Sequence, residues 1–375
     1  MRKLAGKILL LINILFALLL VLTYTAPFIN PGIILFPAFL GLAYPYILLV
    51  NVLFLVYWII RFRKELLISL VAILLGWGHL TNLLPMNLRG SDDPAGGRGN
   101  KQISVMSYNV RTFDQYNWSK RENPVEGIFS TIDERKPDIV CFQEFYTVDK
   151  RGRNEETIRN ELVDYPHDAI YYSLKSSASA GFGIATFSRY PIVRTNRIPF
   201  DNSMNQAIYT DVLFDKDTIR VFNIHLQSIR FGQENYNFLD SLSLKYSNRQ
   251  LEEMKAISKR LQDAFIRRAE QAVIIRNYID ASPHPVIVTG DFNDTPISYS
   301  YHKIRKGLVD TFREAGSGLG NTYAGELPSY RIDFILCSKD LQAIEFRRIK
   351  TKYSDHFPIF TTLRWRSGYS HLNQE

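Results

Sequence analysis

The stretch Val286-Ile287-Val288-Thr289-Gly290-Asp291-Phe292-Asn293-Asp294 joins an apolar, β-branched run to a polar turn. The run predicts a buried strand, and Gly290 allows the chain to turn sharply after it. Because strand side chains alternate, Asp291 and Asn293 project to one side and Phe292 to the other. A carboxylate and an amide on one face can orient a water molecule and a phosphate oxygen together. The stretch predicts a strand that delivers polar side chains to a cleft; an ordinary Gly/Asn/Asp turn is the alternative.

Five more polar motifs end apolar runs in the same way. In chain order the full set is Ser107-Tyr108-Asn109-Val110, Gln143-Glu144, Asn223-Ile224-His225-Leu226, Gly290 to Asp294, Arg331-Ile332-Asp333-Phe334 and Ser354-Asp355-His356-Phe357. Helical patterns lie between the strands, at Val125–Arg135 and across residues 247–280, where we expect one or two amphipathic helices. This mixture predicts an α/β (α+β) fold in which sheet packs on sheet.

The motif side chains are of the kinds that hold a hard cation and act on phosphate. Mg²⁺ takes carboxylate and other oxygen ligands and keeps several waters. An Asp beside a His favours the imidazolium, which stabilises phosphoryl charge or donates a proton. His225 and His356, with Asp333 and Asp355, invite pairing into two His–carboxylate units. Taken singly, Glu144 is equally consistent with a surface carboxylate, and each His–Asp unit with a structural polar pair. The prediction of a catalytic site therefore depends on the ordered set.

Charge and cysteine content narrow the function classes. The chain has 375 residues and a net charge of +8, but residues 1–90 hold seven basic residues and one acidic residue. The remainder therefore carries thirty-eight basic and thirty-six acidic residues, a net +2 that gives no support to a broad surface for tracking nucleic-acid phosphates. Cys141 and Cys337 lie in strand-like runs and are predicted to be buried thiols, with a disulfide as the alternative. No Cys/His spacing indicates zinc.

Three apolar runs near the N-terminus, at about residues 4–24, 36–60 and 65–84, are long enough to cross a bilayer as helices. They predict a membrane anchor over residues 1–89, in contact with the lipid bilayer. A polar, Gly-rich linker follows at residues 90–100.

Basic residues predict the orientation of this anchor. Arg2, Lys3 and Lys7 precede the first run, and Arg61-Phe62-Arg63-Lys64 separates the second from the third. The positive-inside rule places both clusters in the cytoplasm. We therefore expect a multi-pass protein of the inner (cytoplasmic) membrane whose remaining domain is extracytoplasmic, and periplasmic in a Gram-negative host. This orientation depends on three membrane crossings, and a re-entrant second run or a cleaved first run would change that number.

In this order, the motifs resemble those of the endonuclease/exonuclease/phosphatase superfamily. Its members include DNase I-like nucleases, AP endonucleases, neutral sphingomyelinases and inositol polyphosphate 5-phosphatases. The resemblance covers residues 101–367, and it leaves out the anchor and a tail at residues 368–375. It implies a four-layered α/β sandwich with two central mixed sheets.

The resemblance also implies a metal site and a water site. Glu144 would be the main ligand of Mg²⁺ (or Mn²⁺), with Asn109 beside it and Asp355 as a further candidate ligand. Asp291 would orient or deprotonate the attacking water, and Asn293 would hold a phosphate oxygen.

The resemblance implies that both histidines contact phosphate. His225 would do so with support from Asp333, and His356 would contact the scissile phosphate with support from Asp355. No covalent enzyme intermediate is implied.

Departures from family patterns bear on the substrate. Inositol phosphatases carry a Trp-Cys-Asp-Arg type segment, whereas no Arg follows Asp333 here. Abasic-site enzymes usually lack a His at the position of His225. We therefore expect a phosphodiester substrate, with nucleic acid ahead of phospholipid and phosphomonoesterase activity last. The non-enzyme alternative is a catalytically idle scaffold or receptor, and no protein partner can be inferred.

Overall fold

The computed structural model describes residues 2–85, 87, 102–118, 123–148, 153–175, 180–201, 203–229, 248–325 and 329–366. The predicted linker at residues 90–100 and the tail at 368–375 lie outside them. The chain divides into two compact units, each built from three segments. The first comprises Met1–Leu84, Arg230–Ala272 and Asp294–Ile304, and the second Pro85–Ile229, Val273–Asn293 and Arg305–Glu375.

The N-terminal region of the first unit is helical, with α1 (Arg2–Thr23), α2 (Phe36–Ile60), α3 (Leu66–Leu75) and α4 (Trp77–Leu83). Within the described residues, α1 from Leu4 and the whole of α2 are each long and apolar enough to cross a membrane. The predicted third span at 65–84 is broken, since α3 and α4 meet at an angle of 74°. Gly76 separates them, and a Cβ there would lie 2.1 Å from the end of the Tyr24 side chain, so a larger residue would displace that ring. The described residues thus hold two such helices, and a third only if the bent pair counts as one span.

A buried polar network joins α1, α2 and α3. Asn13 donates to the Ser69 hydroxyl at 2.6 Å, and Ser69 donates to Asn51 at 3.2 Å. Trp58 donates its indole N–H to the Asn13 carbonyl at 2.8 Å. These side chains are almost fully buried, and among apolar helices such bonds fix which faces meet. The network therefore explains why polar residues stand inside the predicted spans.

Two mixed six-stranded sheets form the framework of the second unit. The first has the order β11 (Leu341–Arg348), β12 (Ile359–Trp365), β1 (Gln102–Asn109), β2 (Ile139–Val148), β4 (Ala180–Ser188) and β3 (His167–Lys175). The second has the order β5 (Ile192–Ile198), β6 (Ala207–Phe214), β7 (Asp217–His225), β8 (Val286–Asp291), β10 (Asp333–Cys337) and β9 (Val309–Asp310). The pairs β1–β2 and β7–β8 are parallel, and the other neighbouring strands are antiparallel.

One hydrophobic core lies between the sheets and a second lies outside the first sheet. Val105 and Cys141 of the first sheet pack with Val221, Ile287 and Ile335 of the second. The other core joins the first sheet to α5 (Pro124–Arg135) and α6 (Glu155–Glu161). This confirms the prediction of two mixed sheets with flanking helices. Both cysteines are buried free thiols, as predicted.

The remaining helices are α7 (Asn248–Asp280), α8 (Tyr299–Arg305) and α9 (Thr311–Ala315). Residues 248–280 form one continuous helix of 33 residues, where one or two were predicted. The strands that the sequence pattern did not indicate are β3, β5 and β9, which all lie at sheet edges. Five consecutive residues of β5 are exposed, so this strand lacks the apolar run that marks a buried strand.

Candidate active site

Five strands deliver the predicted polar residues to one place. The parallel register sets Asn109 beside Gln143 on β1 and β2, and His225 beside Asp291 on β7 and β8. The antiparallel register of β8 with β10 sets Asp291 opposite Asp333. Because parallel strands end on the same edge of a sheet, the motifs that follow them come together.

A β-bulge sets the direction of Glu144. The pairing of β2 with β4 shifts between Phe142 and Phe145, and Glu144 has a left-handed φ of 50°. Bulges re-aim side chains next to active sites. Burial and the nearby Asp355 carboxylate raise the pKa of Glu144 to about 6. About 25% of its side chain remains exposed, so Glu144 is both crowded and reachable.

The turn after β8 fixes Asp291 and Asn293. Gly290 has φ 137°, and a Cβ there would lie 1.9 Å from the backbone oxygen of Ile224, so glycine is required. The Asn293 backbone N–H donates to Asp291 Oδ1 at 2.7 Å, and its side-chain amide donates to Asp291 Oδ2 at 3.0 Å. The Asn109 amide donates to the same Oδ2 at 3.1 Å. Burial and the Asp333 carboxylate hold the pKa of Asp291 above its usual range, although these donors oppose the shift.

His356 pairs with Asp333. Its Nδ1 lies 2.9 Å from Asp333 Oδ2, and its Nε2 lies 3.8 Å from Asp291 Oδ2. Burial lowers the pKa of His356, but the surrounding carboxylates, Asp333 foremost, outweigh burial and hold the pKa well above its ordinary value. The Thr322 hydroxyl accepts a hydrogen bond from the backbone N–H of Asp333 at 3.0 Å. This bond fixes the end of β10 that carries the Asp333 carboxylate. The site therefore contains one tight His–carboxylate unit.

This pairing corrects the one that the family resemblance implied. Asp333 was expected to support His225, and Asp355 to support His356. Instead Asp333 contacts His356, and Asp355 Oδ2 lies 3.3 Å from Arg111 Nε. Adjacent residues such as Asp355 and His356 project differently from a loop, whereas Asp333 approaches His356 across the fold. The resemblance thus gave the right residues but the wrong pairing of carboxylate with imidazole.

His225 lies beside the same carboxylates at longer distances. Its Nε2 is 3.7 Å from Asp291 Oδ2 and 3.8 Å from Glu144 Oε1, beyond hydrogen-bond range. The Gln206 carbonyl accepts its backbone N–H at 2.9 Å, which holds the end of β7. The imidazole therefore lies near both carboxylates.

The donor set fits a hard divalent cation. Ligand atoms of Asp291, Asp333 and His356 lie within 4.8 Å of one another. His356 Nδ1 is occupied by Asp333, however, and the side chains of Asp291 and Asp333 are at most 2% exposed. Glu144 and Asp355, with 25% and 17% of their side chains exposed, are the more open carboxylates. Glu144, whose pKa is raised by burial and by the Asp355 carboxylate, gains from a nearby cation, since the cation favours its charged form.

Asn109 lies beside Glu144, and its side chain also contacts Asp291. Its amide donates to Asp291 at 3.1 Å and lies 3.4 Å from Glu144 Oε1, while its own oxygen accepts the Arg111 backbone N–H at 3.0 Å. In this arrangement Asn109 orients the two carboxylates. A role as metal ligand stays a prediction.

Sequence reasoning missed three supporting residues. Arg111 stands against Asp355, Thr322 holds the end of β10, and Arg331 pairs with Asp310 through two contacts of 2.9 and 3.2 Å. Arg331 is part of a motif that was noticed for Asp333, so its place in the motif was a usable signal. Nothing in the local sequence marked Thr322.

Comparison with known proteins agrees with this fold. Residues 106–356 match the family described as "Endonuclease/Exonuclease/phosphatase family", and residues 6–83 match a "Domain of unknown function (DUF8431)". The chain therefore belongs to the endonuclease/exonuclease/phosphatase family, and it is a hydrolase that acts on phosphoric ester bonds. No curated protein matches the chain.

Solved structures share the fold at low sequence identity. An endonuclease/exonuclease/phosphatase from Bacteroides vulgatus is 17% identical with a TM-score of 0.51, over 71% of this chain and 100% of that one. A family protein from Bacteroides thetaiotaomicron is 16% identical with a TM-score of 0.51, over 71% and 99%. A humanized D. rerio TDP2 is 18% identical with a TM-score of 0.50, over 70% and 98%. At these identities the likeness concerns the fold alone.

Proposed function

We propose that the protein is a membrane-anchored, divalent-metal-dependent phosphodiesterase that acts by in-line attack of water, with nucleic acid as the preferred substrate. The observation that carries the proposal is the arrangement around Asp291. Its carboxylate lies 3.7 Å from one imidazole and 3.8 Å from another, and two Asn amides donate to it. Such an array suits phosphoryl chemistry, which depends on positioning and charge stabilisation.

The proposed metal site uses the two open carboxylates. Glu144 and Asp355 would hold Mg²⁺ or Mn²⁺, with substrate oxygens and water completing the shell. Bound there, the ion would polarise a phosphate oxygen and neutralise developing negative charge. Arg111, 3.3 Å from Asp355, stabilises the charged form of Glu144 as well.

The chain's own residues would move and orient the protons. Asp291, whose raised pKa makes it a stronger base than an ordinary Asp, would hold and deprotonate the attacking water. His356, kept charged by Asp333, would stabilise the phosphoryl oxygens. Asn293 and His225 would contact further phosphate oxygens. No side chain needs to form a covalent intermediate.

Two alternatives differ in substrate. A phospholipid phosphodiesterase is favoured by the apolar helices, since an anchored enzyme meets lipid headgroups constantly. A phosphatase lacks a specific observation in its favour. The idle scaffold finds no support in the site, because the predicted polar side chains stand together there.

Contacts within the first unit support the proposed topology. Ile297 packs with Ala26 and Leu40, and the Phe28 ring meets His302 at a centroid distance of 4.8 Å. Ala26 and Phe28 lie in the connection between α1 and α2 at residues 24–35, and Leu40 lies near the start of α2, at the opposite end of that helix from the basic loop at residues 61–64. The segment that follows Asn293 therefore lies at the non-basic end of the helices. Under the positive-inside rule this end is extracytoplasmic.

The proposed function is tested with the full-length protein in detergent and Mg²⁺. The substrates are single-stranded DNA, RNA, bis(p-nitrophenyl) phosphate, phospholipid vesicles and p-nitrophenyl phosphate. We expect the nucleic acids to turn over fastest and the monoester slowest. Glu144→Ala and His356→Ala should each lose roughly 10²–10⁴-fold in turnover, while His284→Ala, an imidazole outside the site, should retain activity. Wild-type rates in both site variants, or turnover of monoesters alone, would overturn the proposal.

A further inference from the structure

A pair of exposed aromatic rings stands beside the candidate active site. Tyr116 is 63% exposed and Trp118 is 45% exposed, and their ring centroids are 4.8 Å apart. Single exposed apolar side chains are common on protein surfaces and need no explanation. Two exposed rings in tilted contact, with their planes at 44° to each other, next to the proposed catalytic carboxylates are a more specific arrangement.

Arg111 connects this pair to the site. Its guanidinium lies 4.5 Å from the centroid of the Trp118 ring, and its Nε lies 3.3 Å from Asp355 Oδ2. The same residue's backbone N–H bonds to Asn109. The rings are therefore one side chain away from the proposed metal ligand Asp355. A cation over one ring also limits the freedom of that ring, which reduces the entropy lost on binding a ligand.

The backbone that leads to the rings is held in an unusual conformation. The four residues from Arg111 to Asp114 all have left-handed φ, between 44° and 54°, and none is glycine. Such residues persist only where the surroundings fix them, and they concentrate at ligand sites. Here Phe113 is buried in the core, and Arg153 donates to its carbonyl at 3.1 Å. Phe113 and Arg153 therefore fix the turn on its buried side, while the rings of Tyr116 and Trp118 are exposed to solvent.

We propose that Tyr116 and Trp118 form a stacking platform for a nucleobase next to the scissile phosphate. Every base has a π-face, so stacking gives affinity without a strict sequence preference. Stacking would also add affinity for the substrate. The part of the chain after residue 90 is nearly neutral and does not supply that affinity through a broad basic surface. This proposal rests on the proposed function, and it narrows the substrate to nucleic acid with unstacked, single-stranded bases.

The test compares two DNA oligonucleotides of one length: a normal strand and one in which tetrahydrofuran replaces every base. The full-length protein, Trp118→Ala, Tyr116→Ala and Trp118→Phe are assayed for KM and kcat on both. Trp118→Ala should raise KM on the normal strand by roughly 5- to 150-fold, with little change in kcat. Trp118→Phe should recover most of the loss, and KM on the abasic strand should not differ between wild type and Trp118→Ala. Val163→Ala removes another exposed apolar side chain and should change nothing.

The outcomes separate this proposal from the one beneath it. Equal losses on both strands would mean that the rings only support the fold of the turn, and unchanged KM on both would mean that they do not touch the substrate; either result overturns the platform and leaves the phosphodiesterase intact. No turnover of either strand, with turnover of phospholipid vesicles, would overturn the nuclease preference and the platform together.

Discussion

The structure pairs His356 with Asp333, whereas the family resemblance implied that Asp355 supports His356. The two pairings can be tested against each other. The perturbations are Asp333→Asn and Asp355→Asn, each made in the wild type and in His356→Ala. The Nδ1 to Oδ2 distance is 2.9 Å, and the two side chains are 7% and 2% exposed. A charge-assisted bond in so dry a place is strong. Asparagine preserves the shape of Asp333 but removes the charge that keeps the imidazole protonated.

The expected magnitude follows from this geometry. Asp333→Asn should lower kcat by roughly 10²–10⁴-fold, the range for an impaired acid–base or charge-stabilising group. Residues that act as one unit are not additive. Asp333→Asn should therefore cost little more in the His356→Ala background, where the imidazole is already gone. Asp355→Asn should still lower the residual rate there, because its carboxylate serves the proposed metal site.

The assay is steady-state hydrolysis of bis(p-nitrophenyl) phosphate by the full-length protein, with thermal melting to confirm that each variant is folded. A double-mutant cycle isolates the pairwise coupling. Full additivity of Asp333→Asn with His356→Ala, together with non-additivity of Asp355→Asn, would refute the pairing that the structure shows.

Further predictions concern the fold, the metal and the membrane. Gly290→Ala should prevent folding, because a Cβ would lie 1.9 Å from a neighbouring backbone oxygen. Gly307→Ala is the control, since Gly307 also has a positive φ but has open space around it, and this variant should fold. Similar melting temperatures for the two variants would contradict this reason. EDTA should abolish turnover, Mg²⁺ or Mn²⁺ should restore it, and Glu144→Gln should raise the Mg²⁺ concentration needed for half-maximal rate; full activity after exhaustive EDTA treatment would refute metal dependence. Ser69→Ala should destabilise the anchor by about 0.6–2 kcal/mol, measured by thermal melting in detergent, and an unchanged melting curve would mean that the polar network is dispensable. Alkaline phosphatase fused after Ala95 should be active and a cytoplasm-only fluorescent protein dark, and the reverse result would place the site in the cytoplasm.

Local patterns predicted the central strands well and the edge strands poorly. The runs that became β1, β2, β7 and β8 are apolar because both faces of those strands are buried. The edge strand β5 is mostly exposed and therefore carries no such run. The third apolar stretch was long enough to span a membrane, but its length and composition did not indicate the bend of 74° between α3 and α4.

The sequence by itself determined the family, the two-sheet architecture and the set of polar residues at the strand ends. The apolar runs and the polar residues that end them follow from residue type and periodicity, which are local properties, whereas the family and its two sheets were implied by the resemblance of the ordered motifs. Only the tertiary structure decided that His356 meets Asp333, that Asp355 faces Arg111, and that Asn109 donates to Asp291. The reason is that these contacts cross between strands that are far apart in the chain. Strand register and a β-bulge at Glu144 set which side chains meet, and neither can be predicted from any single stretch of residues.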